Sequence, residues 1–185
     1  MQRQILSLFK VPVLAAGAVV LAATSASAQT TVTLADTSQT TLMTAVVNEQ
    51  ARVTFPSGVT FNVNDITGST TASGATVTIS NIVLATATKQ LKVSVQAETP
   101  GFTAPGGSVT WSAADVTWNA AAWTSATGAA GTLSNSAYNE VTTCAAAAAS
   151  CSTTALAFTL GPKPTVVRSG NHTLTVRWKV EAIGS

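Results

Sequence analysis

The stretch H-T-L-T-V-R-W-K-V-E-A-I, from His172 to Ile183, alternates along its whole length. Leu174, Val176, Trp178, Val180 and Ala182 fall on one face, and Thr173, Thr175, Arg177, Lys179 and Glu181 on the other. Successive side chains of a strand point to opposite faces, so this period of two describes a strand with one buried and one wet side. At ~3.3 Å per residue the run spans roughly 35 Å, the long axis of a β-sandwich. The rest of the chain has to supply neighbours for its apolar face.

Upstream, shorter alternating runs meet that need. Leu156, Phe158 and Leu160 form one, and Leu91, Val93 and Val95 another, with Gln90, Lys92, Ser94 and Gln96 facing out. Ala75 to Leu84 changes phase near Ser80-Asn81, the mark of a one-residue β-bulge. Three hairpins are expected. Val53 and Phe55 pair with Val59, Phe61 and Val63 around Pro56-Ser57-Gly58, and Val83-Leu84 turn back onto Leu91. The two V-T-W units, 109–111 and 116–118, form the third. Residues 124–153 are low in complexity and read as a long surface loop, with one short strand near Tyr138 to Thr142. No helical period of any length occurs. The expected fold is all-β: a single antiparallel, immunoglobulin-like β-sandwich of about eight to ten strands with Greek-key connections.

The start of the chain reads differently. Arg3 and Lys10 precede and flank an apolar run, Val11 to Ala23, and Ala26-Ser27-Ala28 offers a small-x-small cleavage site. Residues 1–28 are thus expected to be a cleaved bacterial secretory signal peptide, and residues 29–185 the exported domain, in the periplasm, at the cell surface or outside the cell. No membrane span is expected after cleavage. Arg3 and Lys10 leave with the leader, so seven of the nine basic residues remain against seven acidic ones. The cations are scattered, which argues against nucleic acid as a partner. Such a weakly charged, Thr-rich surface gives little repulsion between copies and suits a protein that assembles.

Cys144 and Cys151 are the only cysteines, and six residues separate them. In an exported chain an even count points to a structural disulfide, here closing a short Ala/Ser loop. A metal site lacks further ligands, because His172 is the single histidine. Catalytic patterns are missing too. His172 has no Ser/Asp or Cys partner pattern, the carboxylates are isolated, and no phosphate loop or zinc motif is present. The chain is therefore expected to be non-enzymatic and to need no cofactor. Asn62-Val63-Asn64-Asp65 reads as a turn in preference to a calcium loop. Trp111 and Trp118 lie in phase with core valines, whereas Trp123 and Tyr138 are candidates for exposed rings that stack on sugars.

The ending S-G-N-H-T-L-T-V-R-W-K-V, 169–180, resembles the final strand of secreted bacterial immunoglobulin-like sandwiches, including fimbrial and spore-coat-type subunits. The cysteine pair is local, whereas fimbrial subunits often link distant strands. Trp178 is the aromatic nearest to the family's penultimate tyrosine. The resemblance implies a structural or adhesive role, with self-association or other surface subunits as partners. Residues 29–47 are uncharged but for Asp36, and they read as an arm or edge strand. Val32, Leu34 and Leu42 are its candidate anchors for completing a neighbour's sheet by main-chain hydrogen bonding. A secreted carbohydrate-binding module using Trp123 and Tyr138, with polysaccharide as partner, is the alternative.

Overall fold

A computed structural model describes residues 31–35, 39–106 and 109–185, so the leader expected over residues 1–28 lies outside the described residues. The chain divides into two units, 1–44 and 45–185. Within the first, the described residues form no strand.

The described residues of the second unit are all-β apart from a single 3-10 turn. Its strands are β1 (Gln50–Thr54), β2 (Thr70–Thr71), β3 (Ala75–Val83), β4 (Gln90–Ala97), β5 (Val116–Trp118), β6 (Ala126–Gly128), β7 (Gly131–Thr132), β8 (Asn139–Cys144), β9 (Cys151–Leu156), β10 (Phe158–Leu160) and β11 (Val176–Ile183). They pair antiparallel in three sheets, ordered β1-β3-β9, β2-β10-β5-β7 and β11-β4-β8-β6. Ala157 alone separates β9 from β10, and Ala72–Gly74 separate β2 from β3, so the first two sheets run on into each other. All three contribute to one core: Val77 and Ile79 of the first, Trp118 and Phe158 of the second, and Val93, Val95 and Val141 of the third.

The final strand keeps its expected alternation and pairs with β4, Trp178 opposite Val95 and Val180 opposite Val93. Its regular part begins at Val176, and upstream only Thr173 keeps a bridge, to Thr103. Yet Val176, Trp178 and Val180 are half-buried rather than buried. The cause is position. β11 is the edge of its sheet, and β4, held between β11 and β8, takes the centre. The bulge near Ser80-Asn81 is present: β1 advances two residues from Gln50 to Arg52 while β3 advances three, from Val83 to Ser80. Asn81 takes a φ of 52°, a left-handed conformation that its short polar side chain tolerates.

None of the three expected hairpins forms. β1 pairs with β3 instead of 59–63, and Val59, Phe61 and Val63 pack on the core without joining a ladder. β3 and β4 belong to different sheets, because each has a strongly apolar face to bury and the core lies between them. The V-T-W units are separated by the 3-10 turn Ala113–Asp115, and Trp111 follows a different path, accepting at its carbonyl from Phe102 N–H. The turn is held by Asp115, whose carboxylate accepts from Ser112 N–H at 2.7 Å and pairs with Lys163 at 3.0 Å.

Residues 124–153 are not one long loop. The short strand expected near 138–142 is β8, and beside it the segment carries β6, β7 and the start of β9. Alanine, glycine and threonine here supply ladder hydrogen bonds and close approach rather than bulk. Gly131 lies directly on the indole of Trp118, where a Cβ would overlap the ring. The disulfide Cys144–Cys151 forms, with both residues buried and their Cα atoms 5.9 Å apart. It is local in sequence but joins two sheets, since Cys144 ends β8 and Cys151 begins β9.

Aromatic rings tie the sheets together. Phe55 stacks on Trp178 at 4.6 Å, Phe158 meets Trp178 edge-on at 6.5 Å, and Trp118 lies 6.2 Å from Phe158. Trp111 and Trp118 are buried, with indole N–H groups donating to the carbonyls of Gly161 and Ala129.

Candidate functional site

Three surfaces carry the residues singled out from the sequence. The first is the arm. Leu34 is 94% exposed, Leu42 91% and Met43 89%, and Val32 is partly covered at 42%. Val46 and Val47, in the second unit, are also exposed. These apolar side chains stand in water along one short segment. The arm ends at a fixed point: Glu49 accepts from Ala85 N–H at 2.7 Å and from Lys89 at 2.8 Å, just before β1 begins.

The second surface is the outer side of the strands. Those of the first two sheets include one charged residue, Arg52, against five in the third sheet. In register across the second sheet stand Thr71, Thr159, Thr117 and Thr132. Across the first stand Thr54, Thr78 and Ser152, with Thr124 bridged to Ser152. The third sheet is charged and internally paired: Lys92 and Lys179 both reach Glu181, at 2.8 and 2.6 Å, and Arg177 meets Glu98 at 2.6 Å. Exposed pairs of this kind, screened by solvent, add little to stability. Their placement on edge strand β11 discourages pairing with another chain there.

Third come the sugar-stacking candidates, Trp123 and Tyr138. Trp123 is half-buried and packs on the core, with its indole edge against Gly128. Its Nε1 is buried and has no hydrogen-bond partner among the described residues. Tyr138 is 39% exposed, with the Lys179 ammonium 5.8 Å from its ring centroid. His172 is half-buried, packed edge-on to Trp111, with Nδ1 2.8 Å from Thr110 Oγ1. In the Asn62–Asp65 turn, Asp65 accepts from Thr67 N–H and Oγ1, at 2.8 and 2.7 Å. No group of three or more metal-ligating side chains occurs among the described residues.

A feature not anticipated from the sequence is a groove of about 440 Å³ between residues 56–62 and 70–76. The signal was present in the uncharged T-T-A-S-G-A-T run from Thr70, whose glycine and small residues leave room beside a strand.

Four carboxyls are held below their ordinary values. At Asp115 burial opposes ionisation, but the Ser112 N–H and Lys163 outweigh it. Lys89 does the same for Glu49, Thr67 for Asp65, and Lys179 with Lys92 for Glu181. Lowered carboxyls bind fewer protons folded than unfolded, so their contribution is complete above the unfolded value and is lost as pH falls through the folded one. Denaturant midpoints should therefore be flat from about pH 5 to 8 and fall below about pH 4. A midpoint that rises on acidification would contradict this assignment. No known family model, curated protein or solved structure matches this chain.

Proposed function

We propose that this chain is an exported, non-enzymatic structural or adhesive protein, a subunit of a surface filament that assembles by strand complementation. On this view the three sheets make an immunoglobulin-like β-sandwich with Greek-key connections, and the arm completes a neighbouring copy's sheet. The observation that carries it is the uncovered apolar arm, with Leu34 and Leu42 almost fully in water. The expected leader and the disulfide fit an oxidising, extracytoplasmic site.

Because these side chains touch little, replacing Leu34 and Leu42 with aspartate should leave the monomer's stability within about 0.5 kcal/mol. Insertion between hydrogen-bonded strands would then bury charge, so assembly should stop while secretion continues. Light scattering across concentration reads the result, and polymers that persist unchanged in the double variant would refute the proposal. The alternative, a carbohydrate-binding module, is supported by the exposed ring of Tyr138. Loss of polysaccharide retention in Trp123→Ala or Tyr138→Ala would favour it, whereas the filament role predicts no difference.

A further inference from the structure

Resting on the strand-complementation function proposed above, we infer that the acceptor is the groove between residues 56–62 and 70–76, filled by residues 40–47 of a second copy of this chain. β1 leaves β3 at the Thr54–Thr78 pair, and Pro56, which has no N–H to donate, begins the opposite wall. Among the described residues β2 is hydrogen-bonded to β10 alone. The edge from Thr70 to Val77 therefore has a strand on one side and the groove on the other. Backbone groups along such an edge are a template for another strand.

The groove suits this occupant in charge, length and chemistry. No charged side chain lines it; threonine, serine and backbone make up most of its wall, with Val59 and the edges of the buried Ala72 and Ala75 as its apolar part. Residues 40–47 are likewise uncharged, and their large apolar members, Leu42, Met43, Val46 and Val47, are all exposed. Extended, those eight residues span ~26 Å, against ~23 Å for residues 70–76. Leu42 and Val46 share one face of such a strand and would meet Val59, Ala72 and Ala75, while main-chain hydrogen bonds complete the edge. Another edge, β11, presents Arg177, Lys179 and Glu181 at alternate positions and is guarded by them.

Two variants of the full exported protein test this. Thr60 and Thr76 line the groove and are exposed, so Thr60→Lys with Thr76→Lys should keep the wild-type urea midpoint. The concentration for half-assembly should rise at least tenfold. Met43→Cys with Thr76→Cys should give a ladder of dimers, trimers and higher species on a non-reducing gel, because Met43 faces away from Leu42 on the added strand and so lies on the side of exposed Thr76, and Cys144 and Cys151 are already bonded to each other. If the lysine variant assembles like wild type, or no ladder forms, while Leu42→Asp still blocks assembly, the groove is wrong and the arm stands. A cross-link that keeps monomer mass would mean that the arm fills its own groove, which overturns the second copy as donor. A wild-type protein that is monomeric at every concentration removes both the groove and the filament role.

Discussion

Trp118→Ala should lower the unfolding free energy by about 3–5 kcal/mol, the range for deleting a buried tryptophan side chain. Trp118 is 3% exposed, packs on Phe158 and has Gly131 laid on its ring. Truncation would leave a cavity that β5, paired on both sides, has little freedom to collapse into. It would also strip the Ala129 carbonyl of the indole N–H that donates to it at 2.9 Å. Against a total stability of ~5–15 kcal/mol for a typical domain, that is a large fraction. Equilibrium denaturation in urea reads it, with exposed Thr117→Ala, on the same strand, as a control expected to move by less than about 0.5 kcal/mol. Equal effects at the two positions would show that the core is not organised around this ring.

Removing the disulfide by Cys144→Ala with Cys151→Ala should cost about 2–3 kcal/mol from the loss of loop closure over a sequence separation of 7. In thermal unfolding that is a fall of roughly 5–10 °C for a domain of this size. The effect should also be directional. Cys144 and Cys151 tie the third sheet to the first, and the strand beside them is held by the Ala126–Cys144 and Thr124–Ser152 pairings. Amide exchange should therefore accelerate first in β6, β8 and the start of β9, and only later in β4 and β11. Uniform acceleration would mean that the bond acts only on the unfolded chain.

How much of this was legible in the sequence depends on side-chain size. The two faces of β4 and β11 could be read because Val, Leu and Trp mark one face in every second position. The bulge at Asn81 could be read because a strong apolar phase breaks there. Pairing partners could not. Val83 and Leu91 are close in sequence and both apolar, but whether two such runs pair edge to edge or face each other across a core is decided by every other strand. Residues 124–153 were opaque for another reason. Ala126, Gly128 and Gly131 make ladder hydrogen bonds and close contacts with Trp118 and Trp123, and neither is visible as a hydrophobic period. The groove was hidden because it is made by where β1 stops.

That stopping point has a mechanical consequence. The arm enters β1 at the Gln50 end, which pairs with Val83, while the groove lies along β2 and the Ala75 end of β3. In a filament built as proposed, tension would pull on β1 at one end and on β3 at the other, along the strand axis. The ladder bonds between them lie perpendicular to the strands and would share the load together instead of opening one at a time. The force would pass from subunit to subunit through β1 and β3, leaving the third sheet and the disulfide outside its path.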